Sequence, residues 1–96
     1  MSLETGTQNP ESIAEIREKI NHVDARLRAA ILERFFLAQK SGALKESQKI
    51  PVVDGSREIE VKQQWRRWAQ ENGLNFQDIE PIIDALIAAS TSLQQK

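Results

Sequence analysis

Apolar residues recur every three or four positions along the first half of the chain, which is the spacing of one face of an α-helix. The stripe comprises Ile13, Ile16, Ile20, Val23, Leu27, Ala30, Leu37 and Leu44. Asn9-Pro10-Glu11 is a favourable helix start, because asparagine caps, proline fits the first helical position and an acid suits the first turn. Nothing stops the pattern firmly before Ile50-Pro51. The pattern therefore predicts one helix from about residue 10 to residue 45.

Two shorter helices follow the long one, each bounded by capping residues. Asp54-Gly55-Ser56 can cap a second helix, which Asn72-Gly73 closes, and Asn75 with Asp78 can begin a third. Pro81 requires either that the third helix begin nearer Asp78 or that its first turns be kinked. The predicted buried faces are Val61, Trp65, Trp68 and Ala69, then Ile79, Ile82, Ile83, Leu86 and Ile87. The predicted fold class is all-α, with three helices of which the N-terminal one is very long.

The length of the first helix predicts a dimer. At 1.5 Å per residue it would be about 50 Å long, whereas a compact domain of this size is about 30 Å across. Much of its apolar stripe would therefore be exposed to water unless something covered it. A second copy of the same chain is the simplest cover, so we expect a homodimer.

Composition narrows the class of protein. The 96 residues suit one domain, assigned to residues 10–96 with a tail at 1–9. Without cysteine, and with His22 as the single histidine, neither a metal site nor a cofactor is expected. Thirteen basic residues against fourteen acidic ones argue against a nucleic-acid or membrane partner. No apolar run is long enough to cross a bilayer and the N-terminus is polar, so the expected location is the cytoplasm.

Polar residues interrupt the predicted apolar faces. Arg34, Ala38, Ser41 and Lys45 share one face of the first helix, so two cations are separated by small residues that leave a hollow. Ser90 and Gln94 continue the apolar face of the third helix. Taken singly, these interruptions have ordinary explanations. Arg34 and Lys45 could extend to water or pair with carboxylates, and the third helix could simply become polar at its end.

Four further charged residues and one aromatic segment are notable. Asp54 and Glu58 suit the dipole of the second helix, but that dipole does not explain Arg57 in the first turn. Arg17 lies about 25 Å from Arg34 along the helix, so one small ligand could touch both only if two antiparallel helices brought them together. Trp65-Arg66-Arg67-Trp68 combines aromatic and basic residues, as proteins that bind single-stranded nucleic acid do. Its helical spacing instead favours tryptophans in the core and arginines facing solvent.

In five segments the sequence resembles the all-helical chorismate mutases of type II. They are Ile16-Arg17-Glu18-Lys19-Ile20 with Asp24, Glu33-Arg34, Gly42-Ala43-Leu44-Lys45, Pro51-Val52-Val53-Asp54-Gly55-Ser56-Arg57-Glu58 and Ser90-Thr91-Ser92-Leu93-Gln94. The segments span about residues 11–95 in register without a gap. The resemblance implies an intertwined homodimer that rearranges chorismate, a small dicarboxylate, to prephenate for aromatic amino acid biosynthesis.

The resemblance also implies a role for each matching residue. Arg17, contributed across the dimer interface, and Arg57 bind one substrate carboxylate, and Arg34 binds the other. Lys45 contacts a carboxylate and the ether oxygen, to which Gln94 donates. Asp54, Glu58 and Ser90 hold the ring hydroxyl and position the cations. No metal or cofactor is implied, because the rearrangement is intramolecular and needs a held conformer and stabilised charge.

Some positions depart from the family pattern and leave alternatives open. Ser41 stands where an aliphatic residue is common, and Phe35-Phe36 and Pro81 are unusual. Trp68-Ala69-Gln70-Glu71-Asn72-Gly73-Leu74 resembles the isochorismate–pyruvate lyases that make salicylate, although those tend to lack acids matching Asp54 and Glu58. A mutase acting on 4-amino-4-deoxychorismate is a second alternative. A non-catalytic helical dimerisation module is the third, but it does not explain the polar interruptions.

Overall fold

Three α-helices account for nearly all of the described chain. The computed structural model describes residues 11–95, and no strand occurs in that range. The helices are α1 (Ile13–Gln48), α2 (Gly55–Glu71) and α3 (Phe76–Gln94). The predicted all-α class, the three helices and the very long N-terminal helix are confirmed.

Both ends of α1 differ from the prediction. The predicted cap at Asn9-Pro10 lies outside the described residues, and the helix begins at Ile13 after Ser12, whose side chain accepts a hydrogen bond from the Glu15 amide. The other end extends past residue 45 to Gln48. It stops where Lys49 adopts the left-handed conformation, with φ at 57°. Left-handed residues end helices because they turn the next N–H groups back onto the last carbonyls.

The caps of α2 follow the sequence prediction, whereas α3 starts earlier than one alternative allowed. Asp54 caps α2 by accepting from the Arg57 amide at 3.1 Å, and Gly73, with φ at +68°, provides the turn beyond its end. Asn75 caps α3, which begins at Phe76 and continues through Pro81. The alternative in which α3 begins nearer Asp78 is therefore wrong.

Helix α3 is the platform on which the other two helices rest. Both α1 and α2 pack against α3, and within residues 11–95 they do not pack against each other. The buried apolar side chains at these contacts are Ala38, Ala69 and Ile83. The Lys62 ammonium joins α2 to α3 by ion pairs with Asp84 at 3.1 Å and Glu80 at 3.2 Å. A gap is therefore left between α1 and α2.

The predicted buried face of α2 is only partly correct. Ala69 is fully buried, but Trp65 is half-buried and Trp68 is 43% exposed in the single chain. The two indole rings meet edge to face with centroids 5.5 Å apart, and Arg66 lies over the Phe76 ring. The tryptophans therefore form a partly open aromatic surface rather than a closed core.

The shape is that of a rod with a short attachment. The principal extents are 57 × 25 × 17 Å, and the radius of gyration of 17.2 Å exceeds the roughly 13 Å of a compact domain of this length. The first half of α1 projects beyond α3, and its apolar side chains are exposed: Ile13, Ile16, Ile20, Val23 and Leu27. No helix in residues 11–95 is long and apolar enough to span a membrane.

Candidate active site between α1 and α2

A cavity of about 270 Å³ occupies the gap between α1 and α2, with α3 as its floor. It is lined by Arg34, Ala38, Ser41, Lys45, Val52, Asp54, Arg57, Glu58, Val61, Ile87, Ser90, Thr91 and Gln94. The hollow predicted beside Ala38 and Ser41 is therefore present. Seven of the eight residues that the sequence singled out lie around it, and Arg17 does not.

Arg34 is held against α3 by its guanidinium. Its Nη1 donates to the hydroxyl of Ser90, which is buried, and makes a longer contact of 3.4 Å with the Leu86 carbonyl. A guanidinium has five N–H donors, so most of them stay available for another partner. Because the planar fork suits a carboxylate, the arrangement presents Arg34 to the cavity as an anchored anion receptor.

Lys45 and Gln94 form a pair that links α1 to the end of α3. The Lys45 ammonium donates to the Gln94 side-chain oxygen at 2.8 Å and to the Val52 carbonyl at 3.1 Å. An ammonium has three donors, so one remains. Because the amide oxygen of Gln94 accepts from Lys45, the amide nitrogen and its two hydrogens are directed elsewhere. The pair therefore offers a cation and a neutral donor side by side.

The start of α2 contributes three charged residues to the cavity wall. One oxygen of Asp54 is occupied by the cap of α2, which leaves the other free. Glu58 is half-buried, and no hydrogen bond to its carboxylate occurs within the described part of the chain. Arg57 is exposed, and its Nη1 pairs with Glu60 one turn further along α2. Arg57 is therefore the least constrained of the cavity cations.

The charge of the cavity favours an anion. Arg34, Lys45 and Arg57 oppose Asp54 and Glu58, which leaves a net charge of about +1. Isoleucine, valine and alanine side chains supply an apolar surface next to these charges. Residues 11–95 contain no group of three or more His, Asp or Glu that could hold a metal ion. The arrangement can bind a small anionic molecule with an apolar ring and offer hydrogen-bond donors to its oxygens.

Two features in or next to the cavity were not predicted from the sequence. The Val52 carbonyl, which fixes Lys45, lies in the connection between α1 and α2, where no periodic pattern exists. Gly42 is buried in the middle of α1 against the backbone of Gln94. A glycine inside a helix is unfavourable relative to alanine, and that was the available signal for a close approach of another backbone.

Arg17 is exposed on the first half of α1. The helix rise places it about 25 Å from Arg34 in the same chain. The cavity of a single chain therefore lacks one of the predicted cations.

Comparison with known proteins gives two matches. The family model for chorismate mutase type II matches residues 16–95. The chorismate mutase of Methanocaldococcus jannaschii is 30% identical over 86 residues, which cover 90% of this chain and 87% of the relative. No solved structure matches the chain at a significant level. The match over most of its length confirms the family expected from the sequence: the chain belongs to the chorismate mutase type II family and is an isomerase.

Proposed function

We propose that the cavity between α1 and α2 is the active site, where chorismate is rearranged to prephenate within a homodimer. The observation that carries the proposal is the joint exposure of Arg34, Lys45 and the Gln94 amide to one small cavity. Its volume of about 270 Å³ is at the small end of ligand pockets, which suits a metabolite of this size.

Binding depends on the two substrate carboxylates. Arg34 takes one of them with the N–H groups that Ser90 and Leu86 leave free, so Ser90 acts by fixing Arg34. Arg57 takes the other, together with Arg17 of the second chain. Because Arg57 is paired with Glu60, the substrate carboxylate displaces Glu60 as it binds.

The chemistry requires no nucleophile or base, because one C–O bond breaks and one C–C bond forms within the same molecule. Negative charge develops on the ether oxygen as the C–O bond breaks. The remaining Lys45 proton and the Gln94 amide donate hydrogen bonds to that oxygen. These bonds stabilise the transition state more than the bound substrate, because the charge on the oxygen is larger there. Asp54 and Glu58 accept from the ring hydroxyl and keep the neighbouring cations in place.

The small apolar core of the single chain supports the proposal of a second chain. Among the described residues the buried apolar side chains are Ala38, Ala69 and Ile83, too few to offset the conformational entropy of a domain of this length. The exposed stripe on the first half of α1 runs from Ile13, 63% exposed, to Leu27, 54% exposed. An intertwined dimer, in which two such stripes cover each other's chains, removes both deficiencies.

Charge balance supports the contribution of Arg17 from the partner. The cavity of one chain carries about +1, whereas a substrate with two carboxylates carries about −2. Arg17 is too far from Arg34 within one chain, so the additional cation comes from the second copy of α1. The proposed compartment is the cytoplasm, as the composition predicts.

The experiment that tests the function is a product assay of the purified chain with chorismate and, separately, with isochorismate. Prephenate from chorismate is the expected product. Salicylate and pyruvate from isochorismate as the dominant products would make the protein a lyase and refute the proposed roles of Asp54 and Glu58. Turnover of neither would leave the 4-amino analogue or a non-catalytic dimer. The position of both acids in the cavity wall favours the mutase over the lyase.

A further inference from the structure

At Gly42 the backbones of α1 and α3 approach each other very closely. It is buried in the middle of α1. A Cβ atom placed on Gly42 would lie 2.6 Å from the carbonyl oxygen of Gln94, 2.7 Å from its Cα and 3.0 Å from its carbonyl carbon. All three are main-chain atoms, so they cannot rotate away as the end of a side chain could. Only a residue without a Cβ permits this packing.

The close approach lies next to the Lys45–Gln94 pair. Gly42 precedes Lys45 by three residues, which is nearly one helical turn, so both lie on the side of α1 that faces α3. The hydrogen bond from Lys45 to the Gln94 side chain is 2.8 Å long. The separation of the two helix backbones at Gly42 therefore fixes how far the Gln94 amide reaches into the cavity.

We propose that Gly42 is a positioning residue: by having no side chain, it sets the place of the Gln94 amide relative to Lys45 and the substrate. The inference rests on the proposed donor role of Gln94. It adds that Gly42 lets the Gln94 amide come close enough to the substrate to act. Ordinary van der Waals contact begins at 3.4 Å, so a methyl group at position 42 moves the end of α3 by about 0.8 Å. A displacement of that size is enough to lengthen the Lys45–Gln94 bond beyond hydrogen-bond range.

The test is a cycle of four proteins: wild type, Gly42→Ala, Gln94→Ala and the double variant, each assayed for kcat and KM with chorismate. Gly42→Ala should lower kcat by roughly 10- to 100-fold with little change in KM, because the donor acts on charge that develops in the transition state. In the Gln94→Ala background, Gly42→Ala should lower kcat by less than about threefold, since the donor is already absent.

Thermal unfolding separates positioning from general damage. The atoms that meet the new methyl group belong to the backbone, so Gly42→Ala should lower Tm equally in both backgrounds, whereas it should lower kcat strongly only when Gln94 is present. The matched control is Gly55→Ala, because Gly55 is also helical and a Cβ there meets nothing within 4 Å. Gly55→Ala should keep wild-type kcat and KM.

Four outcomes would overturn the inference. A normal kcat in Gly42→Ala beside an impaired Gln94→Ala removes the positioning role and leaves the donor intact. Multiplicative losses in the double variant mean that Gly42 acts independently of Gln94. If Gly42→Ala stays unfolded even at low temperature with sucrose, which favours the folded state, its role is purely structural. A normal kcat in Gln94→Ala refutes the donor role itself, and the inference with it.

Discussion

Two impaired variants should restore activity when their subunits are exchanged, if each active site takes Arg34 from one chain and Arg17 from the other, as proposed. In a mixed dimer of Arg17→Ala and Arg34→Ala chains, one site receives both substitutions. The other site receives neither and is complete. If both arginines served the same site from the same chain, the mixed dimer would contain no complete site.

The size of the effect follows from the contacts. Arg34→Ala should remove the proposed charge-assisted contact with a substrate carboxylate, worth about 3 kcal/mol, so the Arg34→Ala homodimer should keep about 1% of wild-type kcat/KM. Arg17→Ala should keep about 10% or less if its exposed position makes the contact weaker by half. Random exchange makes about half of all dimers mixed, each with one working site, so the mixture should reach about a quarter of wild-type activity.

The assay is prephenate formation after the two variants are mixed in mild denaturant and refolded, with native mass spectrometry to count mixed dimers. The matched control carries both substitutions in one chain and is exchanged with wild type. Its mixed dimers contain no intact site, so activity should fall from about half to about a quarter of the all-wild-type value. Mixed dimers that form without any gain over the separate variants would refute the contribution of Arg17 across the interface.

Three further predictions concern the donor pair, the interface and the α2–α3 contact. Gln94→Glu should make kcat rise as the pH falls from about 8 to about 5, because only the protonated carboxyl donates and the ammonium of Lys45 lowers its pKa; a flat pH–rate profile would exclude the donor role. Ile20→Glu should give inactive monomers by analytical ultracentrifugation, since it places a charge in the apolar stripe that the proposed dimer covers; a tight, active dimer would contradict the proposed interface. The pKa of Lys62 is raised, chiefly by its hydrogen bond to Asp84, so its stabilising effect is full at neutral pH and is lost as the pH rises through that raised value. Lys62→Met should therefore lower Tm at neutral pH, and the difference should shrink above about pH 10.5 in melts followed by circular dichroism; a constant deficit would contradict it.

Features within a single helix were largely predictable, because the helical repeat fixes the azimuth of each residue. Arg34, Ala38, Ser41 and Lys45 were expected on one face, and all four line the cavity. The cap of α2 at Asp54 was read correctly from local chemistry. The predicted start of α1 at Asn9-Pro10 was wrong. The helix is capped by Ser12, and Ser12 with Glu15 three residues later is a capping-box pattern in the sequence.

Features between helices depended on the fold, because interhelical distances are set by packing among residues far apart in the sequence. No local pattern could predict that Ser90 would accept a hydrogen bond from Arg34, fifty-six residues away. The orientation of the Gln94 amide depends on Lys45, forty-nine residues away. Such contacts exist only once α3 lies against α1.

The sequence by itself therefore determined the helical class, the presence of one very long N-terminal helix, the family and most of the residues that line the cavity. Each of these follows from periodicity, capping or motif register, which are short-range properties of the chain. The tertiary structure alone decided the gap between α1 and α2, the anchoring of each cation and the contact of Gly42 with the Gln94 backbone. These features depend on interhelical distances to within less than an ångström. Such distances are set by the close packing of helices that lie far apart in the sequence, so residue spacing along the chain does not predict them.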